Sequence, residues 1–477
     1  MSLPFNRTLL LAFAAFTVFA TTASADPQAQ IVLVNLNAPG VGLNDPTPVA
    51  PVGGNTGTTL GQQRQNVLAR AASLWARNLK SHATVRIQVV FAARACTATG
   101  AVLASAGALA ADLNFKHSKL PDTWFHIAVA NAVAKTDLDP TGDDLIAIFN
   151  INLGNPGCLT GSPFYLGFDH NEGTGVDLLA TATHEFAHGL GFSQLGNVST
   201  GTLFLGLPDT YNRNLADLST GLTWDQMTDA QRVAASINSR KVVWIGPSVT
   251  AAVPNVLAFG VPLLNVTSPA AIAGGYDVGA AQFGAPLTSP GITGQVALAL
   301  DPADAAGPSS TDACSPITNP GAIAGRIALA DRGGCTFVVK VKNLQNAGAI
   351  AAIIADNVAD SPPAGLGGVD PTITIPSGRI TRATGDAIKA QLASGVTATL
   401  GLDLTRRAGA SAEGFAQINA PNPVVPGSSI SHWDPIASPN LIMEPAINPD
   451  LTDNLDLTKP LMEDIGWQLD KSQGNGL

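Results

Sequence analysis

Thr183-His184-Glu185-Phe186-Ala187-His188-Gly189-Leu190-Gly191-Phe192 is the stretch that decides how the rest of the chain is read. The apolar and small residues of 177–190 predict a helix, ended by Gly189 and Gly191. Residues four apart share one helix face, so His184 and His188 project together. Two imidazoles so placed can hold one Zn²⁺ at about 2.0–2.1 Å. Glu185 then stands beside the metal without binding it. There it can take a proton from an attacking water and hand it to a leaving amine.

A catalytic zinc needs a third protein ligand and an open fourth position. The extended pattern H-E-x-x-H-x-x-G-x-x-H is met at Gly191 but not at Gln194, where its third His would stand. Five other His remain, His82, His117, His126, His170 and His432, together with carboxylates such as Asp209 in Pro208-Asp209-Thr210-Tyr211. His432 leads among these. It lies in Ser431-His432-Trp433, and Leu441-Ile442-Met443 follows. The chain has only four Met, so a Met at this place is more than composition predicts, although a Met can also simply fill a core gap.

The order of these motifs resembles the leishmanolysin family of metzincin zinc endopeptidases. The likeness rests on His184 to Phe192, then a long insertion, then S-H-W…L-I-M-E-P. The tail Pro460-Leu461-Met462-Glu463-Asp464-Ile465-Gly466-Trp467 looks like the family's closing helix. The resemblance implies an α+β catalytic domain, one catalytic Zn²⁺ held by His184, His188 and His432, Glu185 as general base and Met443 as the Met-turn residue. It also implies protein or peptide substrates. Two family features are missing. No Tyr occurs after Tyr276 to assist the transition state, and no Cys is spare for a zinc-blocking propeptide if all four pair.

Within the insertion, Gly325-Arg326-Ile327-Ala328-Leu329-Ala330-Asp331-Arg332-Gly333-Gly334-Cys335-Thr336-Phe337 is followed by Asn346-Ala347-Gly348-Ala349 and Ile375-Pro376-Ser377. This resembles the protease-associated (PA) domain and implies a β-rich α/β lid or substrate-selecting module rather than a catalyst. The insertion has no His, so a metal cluster is not expected there. The organisation expected is a signal peptide at 1–25, a catalytic domain in two parts at 26–243 and 406–477, and the inserted module at 244–405.

Composition sets the wider limits. At 477 residues the chain has room for two or three domains. Only 13% of residues are charged and 45% are hydrophobic, which excludes a disordered solvating chain. Net charge is −10 without a basic run, so nucleic acid is not an expected partner. Arg7, the apolar run 9–20 and Ala23-Ser24-Ala25 read as a secretory signal cleaved after Ala25. A membrane anchor would need about 20 apolar residues, more than this run supplies, and no later segment is long enough. The expected location is therefore extracellular or periplasmic. Export makes the four Cys candidates for two disulfides. Of three pairings, Cys96 with Cys158 and Cys314 with Cys335 keeps each bridge inside one domain.

Periodicity predicts strands at 31–34, 85–91, 125–133 and 145–150, and helices at 61–80, 177–190 and 223–236. In the insertion it predicts strands at 296–300, 327–330, 349–355, 373–375 and 397–402, and helices at 337–346 and 381–393. The acidic turn 137–144 offers oxygens to Ca²⁺, but Pro140 and the spacing do not match an EF-hand loop. A different class of reading is an exported binding or adhesion protein on a silent peptidase fold. Such a protein would have no need of Glu185. Oligomeric state is not legible.

Overall fold

The computed structural model describes residues 26–359, 362–448 and 450–471. The expected signal at 1–25 lies outside the described residues.

The N-terminal half opens with strand β1 (Ile31–Asn35), helix α1 (Leu60–Asn78) and strand β2 (Val85–Ala92). Thr59 caps α1 by accepting the Gln62 N–H. Strands β3 (Ala104–Ala108), helix α2 (Ile127–Ala134) and β4 (Leu145–Asn150) follow. The sheet runs in the order β1-β2-β4-β3, with β3 the antiparallel edge. In β2 the buried residues alternate, Val85, Ile87, Val89 and Phe91, so one face meets the helices. Helix α3 (Leu178–Gly189) packs there beside α1 and is buried along its whole length.

The run 125–133, expected as one strand, is instead a two-residue strand leading into α2. Its Val-Ala alternation imitates a strand. The segment is buried all round, so periodicity cannot decide, and its alanines favour helix. The helix expected at 223–236 divides into a short 3₁₀ turn, Trp224–Gln226, and α4 (Asp229–Ala235). Two successive capping boxes, Thr223 with Gln226 and Thr228 with Gln231, restart the chain direction.

Helix α5 (Pro247–Val256) follows. Its Val249 and Val253, with Leu257, join the buried cluster of the N-terminal half. The change of texture at 244 therefore does not coincide with the change of core, which comes after Leu257. Composition misses this because α5 is as rich in Val, Ala and Pro as the segment beyond it.

From β5 (Phe259–Ser268) onward one sheet dominates. Its other strands are β6 (Gly274–Asp277), β7 (Gly279–Ala280), β8 (Ile292–Leu298), β9 (Ile327–Asp331), β10 (Ala351–Ala355), β11 (Ser377–Ile380) and β12 (Thr397–Arg407). They lie in the order β6-β5-β12-β8-β9-β10-β11-β7. Strands β8 to β11 are parallel to one another. Ile327 and Leu329 face one buried cluster, while Ala328 and Ala330 face another. Helix α6 (Phe337–Asn346) supplies Val341 and Leu344 to one side, and α7 (Arg382–Gln391) supplies Ile388 to the other. The continuous apolar strands follow from this double covering. The strand expected at 373–375 does not form. Gln345 of α6 accepts the Thr374 N–H at 2.6 Å, and Ile373 tucks into the core without a ladder partner.

After β12 the chain returns to the first core. Ala416–Gln417 pairs with Val242–Trp244, and Ile418, Trp433, Met443, Met462 and Trp467 complete the same cluster as Val67, Trp75 and Phe186. The last helix, α8 (Thr458–Ile465), packs on α5. The first core is thus built from both ends of the described chain. Disulfides join Cys96 to Cys158 and Cys314 to Cys335, as the sequence suggested.

Candidate metal centre

Helix α3 is fixed at both ends before it presents any chemistry. Asp177 caps its start, one oxygen accepting the Leu179 and Ala180 N–H groups at 2.7 and 3.1 Å. Midway, Trp75 donates its indole N–H to the Thr183 carbonyl at 3.0 Å. At the far end Gly191 has φ +119°, a conformation that favours glycine. A Cβ there would also lie 2.6 Å from the Ile465 side chain. This turn brings the Phe192 carbonyl back over the helix end.

His184, His188 and His432 converge. His184 Nε2 lies 3.1 Å from His188 Nε2 and 3.2 Å from His432 Nε2. Each ring is locked by its other nitrogen. Nδ1 of His184 donates to the Ile442 carbonyl at 2.7 Å, that of His188 to Phe192 at 2.8 Å, and that of His432 to Ser428 at 2.8 Å. With every Nδ1 protonated, every Nε2 carries a lone pair. The two close Nε2 contacts to His184 are then lone pair against lone pair, an arrangement that a cation relieves. Three ligands at about 2.05 Å around a tetrahedral centre stand about 3.3 Å apart, so the observed spacing fits one zinc-sized ion. Among the described residues this is the one group of three or more metal-ligating side chains.

Electrostatics agree with the geometry. Burial pushes the His184 imidazole down to about 3 and His188 down to about 4, and His432 well below its ordinary range. The rings are neutral and available as donors of electron pairs. Glu185, only 6% exposed, is pushed up to about 8 by burial, against which the Arg94 guanidinium acts. Its Oε2 has no hydrogen-bond partner among the described residues. A buried, unpartnered carboxylate oxygen beside such a triad is suited to hold and release a proton.

The other candidates do not join the group of three. Asp209 is fully buried and spends its oxygens on the N–H groups of Leu195 and Asn212 at 2.6 and 2.7 Å. Gln194 accepts from Asn212 at 3.2 Å. His82 meets Asp26, and His126 meets Ser193. Met443 is fully buried, and its carbonyl accepts the Trp433 N–H at 2.9 Å, next to His432. In the acidic turn, Asp144 takes the Arg86 N–H and Asn131, while Asp143 takes the side chains of Arg86 and Gln88.

His170 has a role the sequence did not announce. Its Nδ1 donates to Asp177 at 2.6 Å and its Nε2 to Asp453 at 3.3 Å. Asp453 in turn accepts Arg70 of α1 at 2.8 Å. The α3 cap is thereby tied to the C-terminal segment. These two carboxylates, Asp177 first, push His170 up to about 10. An Asp at the predicted helix start was the one sequence signal for this clamp.

An open pocket of about 570 Å³ is lined by 195–199, 202–205 and 424–427. In sequence its walls begin three residues after Phe192 and end one residue before Ser428, the residues whose carbonyls orient His188 and His432.

Comparison with known proteins is informative for part of the chain. Residues 292–388 match the PA domain family, so the chain contains a PA domain. Vacuolar-sorting receptor 3 of Arabidopsis thaliana is 34% identical over 148 residues, 29% of this chain and 23% of that protein. ER degradation-enhancing alpha-mannosidase-like protein 3 of Homo sapiens is 51% identical over 47 residues, 10% of this chain and 5% of that protein. The chain spans less than a quarter of the length of these relatives. Among solved structures, BSAP, a zinc aminopeptidase from Bacillus subtilis, gives a TM-score of 0.22 at 27% identity, over 32% of this chain and 36% of that one. A peptidase M28 precursor from Shewanella amazonensis SB2B gives 0.20 at 17% identity, over 32% and 36%. Neither structural likeness bears on the triad.

Proposed function

We propose that the protein is an exported zinc-dependent endopeptidase of metzincin type, similar to the leishmanolysins, whose catalytic unit is closed around the inserted PA domain. The observation that carries this reading is the triad. Three neutral imidazoles, each oriented by a backbone carbonyl, point their lone pairs at one place, beside a buried glutamate with a free oxygen.

His184, His188 and His432 would hold one Zn²⁺. When bound, the ion supplies Lewis acidity toward a scissile carbonyl and toward water. Glu185 takes the proton from the attacking water and later delivers it to the leaving amine. Burial of Glu185 keeps its proton affinity high, which suits both halves of that transfer. Met443, the proposed Met-turn residue, holds the Trp433 N–H through its carbonyl at 2.9 Å, next in sequence to His432. The order of His184 to Phe192, a long insertion and then Ser431-His432-Trp433, which resembles the leishmanolysin endopeptidases, supports internal cleavage. The two disulfides support an oxidising compartment. Among the described residues no helix is long and apolar enough to cross a membrane.

The test is cleavage of unfolded casein by protein stripped with a chelator and then reloaded with one equivalent of zinc, with products read by mass spectrometry. The reading expects activity to vanish on stripping, to return on reloading, and to yield internal fragments. Release of single N-terminal residues would replace endopeptidase by aminopeptidase. No cleavage by the reloaded protein would overturn the enzymatic reading.

A further inference from the structure

The segment Leu441-Ile442-Met443 touches two of the three histidine positions. The Ile442 carbonyl accepts His184 Nδ1–H at 2.7 Å, and the Met443 carbonyl accepts the Trp433 N–H at 2.9 Å, adjacent to His432. Whatever fixes this strap fixes how those imidazoles are aimed. The Ile442 N–H is held by Asp456, whose Oδ2 accepts it at 2.6 Å. The other oxygen of Asp456 is anchored at the start of α8. Its Oδ1 accepts the Thr458 N–H at 3.0 Å and the Thr458 hydroxyl at 2.9 Å.

The backbone of Asp456 points the same way. Its φ is +37°, a left-handed value that a non-glycine residue adopts at a cost. Asp and Asn tolerate it best. Such strain persists where surrounding interactions over-determine it, and it concentrates at functional places. Here the strained turn aims one carboxylate oxygen at α8 and the other at residue 442. A charge-assisted hydrogen bond of this length is among the stronger kinds.

We propose that Asp456 is a positioning residue of the metal centre, which sets the direction of the His184 lone pair through residue 442. The inference rests on the triad being a zinc site and adds a residue that never touches the ion. His188 is aimed separately, by Phe192. The strap also has a second hold, because Glu444 accepts the Leu441 N–H at 3.0 Å. Loss of Asp456 therefore loosens the aim of His184 without dissolving the site. Groups that orient a metal-bound His usually contribute about 10- to 100-fold in metal affinity.

The experiment is zinc affinity of the full chain, measured by competition with a chromophoric chelator, together with urea unfolding of the metal-free proteins. Asp456→Asn keeps shape and backbone preference but puts an N–H where an acceptor is needed. Asp464→Asn is the control. Asp464, in α8, is a comparable carboxylate that accepts Trp244 Nε1 and the Ser248 and Val249 N–H groups, none of which belongs to the strap. The expected result is a zinc dissociation constant raised about 10- to 100-fold in Asp456→Asn and unchanged within twofold in Asp464→Asn, although both lose folding stability. If Asp456→Asn does not fold, Asp456→Gly accepts the positive φ freely and should show the same weakening. A dissociation constant within twofold of the parent overturns the proposal, as does failure of both Asp456 variants to fold, which would make the carboxylate a folding element. Failure of the underlying reading looks different: the parent would bind no stoichiometric zinc, or His184→Ala would bind it as the parent does.

Discussion

Glu185→Gln separates the chemistry of the site from its construction. Gln has nearly the same shape, so the 6% exposed position is filled without a cavity and the three imidazoles keep their carbonyl partners. What is lost is the proton acceptor. Removal of a general base costs about 10²- to 10⁴-fold in rate, equivalent to about 2.7–5.4 kcal/mol of barrier. Folding stability should move the other way. In the metal-free protein burial pushes Glu185 from 4.5 up to about 8. Below 4.5 both folded and unfolded states are protonated and the group has no effect. Between 4.5 and about 8 the unfolded chain releases the proton more readily, so stability falls by about 1.4 kcal/mol for each pH step of one. At pH 7 metal-free Glu185→Gln should therefore be more stable than the parent by up to about 3 kcal/mol, and the advantage should disappear near pH 4. The assays are urea unfolding of both metal-free proteins from pH 4 to 8, zinc content after reloading, and casein cleavage. Equal zinc, lost cleavage and a pH-dependent gain in stability are expected. Cleavage at the parent rate, or a variant less stable than the parent at every pH, would refute the role given to Glu185.

Three further outcomes follow from the same geometry. His432→Ala should reduce bound zinc to well below one per chain by elemental analysis, whereas Gln194→Ala should retain it, because Gln194 is committed to Asn212. In the metal-free protein the stability contributed by His170 should be complete below its ordinary 6.5 and fade as pH rises through about 10, since its folded value is raised by Asp177 and Asp453. The stability gap between parent and His170→Gln, read from urea midpoints, should narrow over that range, and a constant gap would remove the clamp from the account. Replacing both Cys96 and Cys158 by Ala opens a loop of sequence separation 62. On the chain-entropy model this should lower unfolding stability by about 4 kcal/mol, visible in the same urea titration.

The helix that carries His184 and His188 was legible because its information is local. A 3.6-residue period, a capping Asp and terminal glycines all lie between 177 and 191. The third histidine was legible only as a residue type in a suggestive order. No pattern in the sequence states that Ala416–Gln417 will pair with Val242–Trp244 and carry His432 back to α3. The second layer was hidden almost entirely. The carbonyls of Phe192, Ser428 and Ile442 do their work as backbone, so side-chain chemistry gives no sign of them. His170 is only a candidate ligand in the sequence, and nothing singles out Asp456 until its partners appear. Two of the misread elements share one cause. At 125–133 and 373–375 short apolar runs have a periodicity that burial or a single side chain, Gln345, can override. The inserted module was easier at β9 and β10, because double covering makes those strands almost wholly apolar, yet its start was blurred by α5, whose composition belongs to the module and whose packing does not.

The central claim is that one zinc ion sits where three imidazole lone pairs meet. An anomalous difference map at the zinc edge, from crystals of the zinc-loaded protein, tests it directly. A single strong peak is expected about 2.0–2.1 Å from Nε2 of His184, His188 and His432. No peak at that point, or a peak whose ligands include Asp209 or His170 in place of His432, would contradict it.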